Sequence, residues 1–160
     1  MPMQQEKIIE FNRRLSQCNK GEMIVIIYQI AFAYIEDAKK ASQMGDDQAF
    51  HIAVCKTQKC VRELIQALDF SYDLAKELYP LYVFVNEHLS KAMIRNRMTE
   101  VEEAEDILKG LYESFEKVAK EDHSKPLMKN AQQVYAGVTY GKHDVTEMCQ
   151  DVQNNRGFLV

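Results

Sequence analysis

Apolar and polar positions repeat along this chain at helical spacing, and one stretch departs from the pattern. From Met23 to Ile35 the sequence reads MIVIIYQIAFAYI, with Gln29 as its one strongly polar side chain. A surface helix needs a single apolar stripe, whereas this segment is apolar on nearly every side. Its length, at about 1.5 Å per residue, is roughly 20 Å, short of the roughly 30 Å hydrocarbon core of a bilayer, so no membrane span is expected. Two readings remain: a central helix wrapped by its own chain, or a helix with one face on the core and another on a partner.

The flanking residues set the boundaries. Asn19 and Glu22 have the spacing of a capping box, which predicts a helix start near Lys20. Gly45 marks the stop near residue 43, and Asp46 can cap the next helix. That helix is expected over about 47–69, with Phe50, Val54, Thr57, Val61, Leu64 and Leu68 as its inner stripe. A third spans about 71–96, with a bend or two abutting helices expected at Pro80, followed by the all-apolar run LYVFV at 81–85. Thr99 and Glu102 suggest a second capping box, opening a helix over about 100–120. Its stripe, Val101, Ala104, Leu108, Leu111, Phe115 and Val118, is that of an ordinary bundle helix.

Two appendages complete the chain. Residues 4–17 carry Ile8, Phe11 and Leu15 on a narrow stripe and read as a docking arm. Past Glu121, Pro126, Gly137 and Gly141 interrupt the pattern; Asp144 and Glu147 can cap a last short helix, and the chain ends in Phe158-Leu159-Val160. About 40 residues do not support a core of their own. The organisation expected is an all-α antiparallel four-helix bundle at 19–121, with an N-terminal arm at 1–18 and a C-terminal extension at 122–160.

Composition narrows the function classes. The length of 160 residues and 46% hydrophobic content suit one folded domain. The net charge of −4 is mild and no basic stripe appears, which disfavours nucleic-acid binding. The start MPMQQEKIIEF lacks the pattern of a secretory signal, so a cytoplasmic protein is expected. Cys18, Cys55, Cys60 and Cys149 show no short paired spacing and read as reduced thiols.

Catalytic chemistry finds little support. Di-iron bundles use Glu-x-x-His, but the residues three before His51, His88, His123 and His143 are Gln48, Val85, Lys120 and Tyr140. His51 and Cys55 share a helical spacing, yet Cys60 lies nearly half a turn away, a weak zinc pattern. A histidine phosphotransfer module needs a Lys three residues after its His and then a Gly; His51 is followed by Ile52, Ala53 and Val54. No Gly-x-Ser-x-Gly motif or Gly-rich phosphate loop is present. No cofactor and no catalytic or metal residue is expected. A metal-binding or phosphotransfer bundle stands as the alternative class to a binding protein.

Several segments, taken in order, resemble the FliS family of flagellin export chaperones over about Asn19 to Ala119. Asn19-Lys20-Gly21-Glu22-Met23 stands where the family has Ser-Pro-Glu-Glu-Leu, Ile27-Tyr28 at its Leu-Tyr pair, and Tyr34-Ile35 near the helix end. Thr57-Gln58, Val61-Arg62-Glu63-Leu64 and Ala67-Leu68-Asp69 are similar to its second-helix pattern. Leu81-Tyr82 with Phe84, and Phe115 in place of a frequent Trp, continue the likeness. Gln29-Ile30 replaces the family's Asp-Gly, Pro80 is unusual, and the tail is longer, which leaves a different client open.

The resemblance implies a cytoplasmic chaperone, monomer or homodimer, that holds the C-terminal segment of flagellin, prevents early polymerisation and assists delivery to the flagellar export apparatus. With the over-apolar helix, it marks Ile24, Ile27, Tyr28 and Ala31, with Gln58, Val61 and Leu68, as candidates for protein binding. Ile8, Phe11 and Leu15, or the tip Phe158-Leu159-Val160, are candidate occupants of such a groove in the absence of cargo.

Overall fold

The helices of this chain are set by their ends. A computed structural model describes residues 5–127, which form α1 (Gln5–Gln17), α2 (Lys20–Met44), α3 (Asp47–Gln66), α4 (Asp73–Arg95) and α5 (Thr99–Glu121). No strand occurs among the described residues. Asn19 accepts the Glu22 backbone N–H at 2.9 Å, and Glu22 accepts the Asn19 N–H at 3.0 Å, closing the expected capping box. Gly45 ends α2 in the left-handed conformation, φ 68°, which costs glycine least. Asp46 then caps α3 through the Ala49 N–H.

Two local expectations need correction. Met98 precedes α5 with helical backbone angles, so Thr99 already lies in the first turn and makes no side-chain cap bond. Helix α4 is one element running through Pro80, not two abutting helices. Pro80 lies on the exposed face, where the carbonyl it leaves unpaired can meet water. The expected final helix near Asp144 and the tip Phe158-Leu159-Val160 lie outside the described residues.

Short links make the four long helices alternate in direction. Helix α2 packs between α3 and α5, and α4 closes the ring against the same two. Cross-links between α2 and α5 confirm the antiparallel register: Gln29 donates to the Tyr112 hydroxyl at 3.0 Å, and Lys39 pairs with Glu105 at 2.9 Å. At one end, Asn19 donates to the Asp122 carbonyl at 3.1 Å, and the Leu127 N–H donates to the Cys18 carbonyl at 3.0 Å. The backbones approach closely there; a Cβ on Gly21 would sit 2.9 Å from Asp122 Oδ2 and 3.4 Å from Ala119 Cα.

Helix α1 lies against α2 and supplies Leu15 to the core, with Phe11 packed at the margin and Cys18 buried just past its end. Arg14 donates to Gln29 Oε1 at 2.7 Å, which fixes α1 to the middle of α2. This fifth helix helps decide between the two readings of the apolar stretch. Val25, Ile26, Ile27, Tyr28, Ile30, Ala31, Tyr34 and Ile35 are all buried, so α2 is a central helix enclosed by its own chain. Cys18 and Cys60 are free and buried, but Cys55 is disulfide-bonded, against the expectation of reduced thiols. Cys55 is partly buried on α3, whereas Cys60 is enclosed.

Two polar contacts tie the core. The Tyr28 and Tyr82 hydroxyls lie 2.6 Å apart and join the diagonal helices α2 and α4. Burial pushes the pKa of both hydroxyls up, so the pair stays neutral. Glu105, with its side chain 7% exposed, receives both Lys39 and Lys109. Burial favours the neutral acid, but hydrogen bonds and charge from the two lysines outweigh it and hold the carboxyl below its usual range.

Two outcomes are expected in urea denaturation. Tyr28→Phe leaves the Tyr82 hydroxyl unpaired and lowers stability by about 1–3 kcal/mol, while the double variant with Tyr82→Phe recovers most of that loss. Glu105→Gln costs roughly 1–2 kcal/mol at neutral pH, allowing for the exposure of the lysines. Because the folded pKa is depressed, this contribution exists above the ordinary carboxylate value of about 4.3 and disappears as pH falls through the lower, folded value. Parent and Glu105→Gln curves should therefore converge in acid.

Candidate binding notch

The link between α3 and α4 leaves a gap in the bundle. Helix α3 stops at Gln66, and Ala67 to Tyr72 turn the corner before α4 begins. Asp69 pins the corner: its Oδ1 accepts the Ser71 N–H at 3.0 Å and the Ser71 hydroxyl at 2.6 Å. Those two bonds hold the Asp69 carboxyl below its usual pKa range. The wide turn separates the start of α4 from the end of α3, and an apolar notch opens between them.

The notch has a volume of about 160 Å³ and is lined by Ile24 from α2, Leu68 from the corner, Leu74 and Leu78 from α4, and Phe115 from α5, among others. An engineered apolar cavity of about 150 Å³ admits a benzene ring, so this one has room for one aromatic or branched side chain. Its deep end is closed by Tyr82, whose hydroxyl is already taken by Tyr28. Nothing in it is arranged for bond-making chemistry. Behind Leu68 lies a second, open depression of about 480 Å³ bordered by Lys20, Met23, Phe70 and Leu127. Phe70 and Tyr79 stack edge to face outside the corner, centroids 5.8 Å apart, and both stay half-exposed.

The structure divides the seven residues marked in the sequence. Ile24 and Leu68 stand together on the notch wall. Ile27, Tyr28, Ala31 and Val61 are core residues at 5% exposure or less. Gln58 is buried and satisfied internally, donating to the Asn86 carbonyl at 3.1 Å and to Ser90 Oγ at 2.8 Å. Leu74, Leu78 and Phe115 also line the notch without having been marked. The sequence does show a signal for them: an Asp-Phe-Ser-Tyr-Asp corner at 69–73 is poor in helix formers, and a corner uncovers what lies beneath it.

Among the described residues, no group of three or more His, Cys, Asp or Glu could hold a metal ion, and no helix is long and apolar enough to cross a membrane. A family profile described as Flagellar protein FliS matches residues 3–122, three-quarters of the chain and all five helices. The chain belongs to the FliS family. No match was found among curated proteins. FliS proteins are flagellar export chaperones, and the all-helical bundle described above is consistent with that fold. The matched region ends at residue 122, where α5 has just closed against the start of α2 through Asn19.

Proposed function

We propose that this chain is a cytoplasmic export chaperone that holds the C-terminal segment of flagellin, blocks its premature polymerisation and helps deliver it to the flagellar export apparatus. The observation that carries this reading is the apolar notch bordered by Ile24, Leu68, Leu78 and Phe115 in a FliS-family bundle. A cargo segment that is disordered alone can fold on such a surface, inserting one large apolar side chain into the notch as its anchor. Coupled folding of this kind offsets roughly 2–5 kcal/mol of the contact energy, which keeps the complex releasable. Chaperoning of this type needs burial and release, not a reacting group.

Isothermal titration calorimetry of the full chain with a flagellin C-terminal fragment tests the assignment. Binding with a negative heat-capacity change is expected, weakened at least about tenfold by Leu68→Asp, which places a charge on the notch wall. The absence of binding at tens of micromolar, or an unchanged affinity for Leu68→Asp, would count against it.

A further inference from the structure

Away from the notch, a second apolar strip is uncovered among the described residues. Helices α4 and α5 run antiparallel, with Arg95 paired to Glu100 at 3.0 Å and His88 to Glu103 at 3.2 Å. Continuing that register sets Phe84 level with Ile107 and Leu81 level with Gly110 and Leu111. Helical spacing puts these side chains along the seam between the two helices. Leu81 and Phe84 are 40% and 43% exposed, and Ile107 and Leu111 are half-buried. A Cβ added to Gly110 would meet nothing within 4 Å, so the bed of the seam is open there. From Leu81 to His88 the strip runs about 10 Å, close to two helical turns. His88 closes its far end, its ring 3.9 Å from that of Phe84 and its Nδ1 3.1 Å from the Phe84 carbonyl.

The charges beside this strip are mostly acidic. Between Glu77 and His88 on α4 the charged residues are Glu77 and Glu87, with His88 at the end. Between Glu103 and Glu113 on α5 the acids are Glu103, Glu105, Asp106 and Glu113, and the one cation, Lys109, is turned toward Glu105 on the α2 side. Cations return past both limits, at Lys76, Lys91 and Lys117. An apolar strip with acidic flanks complements an apolar stripe with basic flanks.

We propose that the α4–α5 seam is a docking surface, separate from the notch, for an amphipathic helix of another protein that carries lysine or arginine beside its apolar stripe. The partner's apolar residues, spaced i, i+3 or i+4, and i+7, cover Leu81, Phe84, Ile107 and Leu111, and its cations face Glu77, Glu87, Asp106 and Glu113. Apolar contact supplies the affinity, and the acidic flanks select the partner.

Calorimetry with two designed helical peptides of about 18 residues, five turns at about 3.6 residues each, tests this on the full chain. Both carry the same leucine stripe; one has lysine flanks, the other glutamate. The lysine peptide is expected to bind at least about tenfold more tightly, with the preference shrinking as salt screens the flanks. Leu81→Asp and Phe84→Asp, both at exposed positions, are expected to abolish this binding while circular dichroism stays at the parent value. Leu68→Asp, on the notch, is expected to leave it within about twofold, the error of comparing independent sites. Equal affinity for the two peptides, or parent-like binding by the Leu81 and Phe84 variants, would overturn the proposal. Loss of binding in Leu68→Asp would overturn the separation of the two surfaces. The flagellin fragment is not a probe here, so neither result decides the notch assignment.

Discussion

The burial of α2 on every side is the constraint from which the rest of the structure follows. A helix apolar all round must be covered all round, and three elements do it: α3 and α5 beside it and α1 outside. Helix α4 reaches it across the diagonal through the Tyr28–Tyr82 hydrogen bond. Around Tyr28 an aromatic cluster fills the interior toward α5, with Phe115 5.8 Å and Tyr112 6.1 Å away, centroid to centroid. A buried hydroxyl pair of this kind adds little net energy, but either hydroxyl left alone would be expensive, so the pair favours one register of α2 against α4.

Enclosing α2 has a consequence for where this protein can bind. Once α1 covers the outer face of α2, the apolar side chains in excess of the core's needs are on the other half of the bundle. They collect at the α3–α4 corner, where the helices part, and along the α4–α5 seam, where no fifth helix lies among the described residues. Arg14, Gln29, Tyr112 and Glu116 form one hydrogen-bonded chain across α1, α2 and α5, so the cover over α2 is held by polar contacts as well as by Leu15. The two halves thus differ in role. One is closed and tied together by buried polar groups; the other keeps its apolar groups at the surface. For a chaperone this division is useful, because a partner can be bound without opening the core.

Much of the fold is legible in the residues themselves. The Asn19–Glu22 box, the Gly45 stop and the Asp46 cap act through neighbours three or four positions away, and each formed as its spacing indicates. The second box failed for an equally local reason: the backbone turned helical one residue earlier, at Met98. At Pro80 one of the two expected outcomes, a pair of abutting helices, is excluded, because the proline sits on a solvent-facing side of a continuous helix. For the site, Ile24 and Leu68 were identifiable as apolar residues near helix ends. Tyr28, Ala31 and Val61 were not separable from them, since a core stripe and a binding stripe have the same spacing.

By itself the sequence determined the elements, their ends, the antiparallel order and the family, because helix periodicity, caps and short links are local properties. Only the tertiary structure decided which apolar faces are inside. That outcome depends on α1 folding back over α2, on the angle taken at the Asp69–Ser71 corner, and on the register between α4 and α5. Each of these joins residues far apart in the chain, and periodicity along one segment carries no information about what another segment will cover.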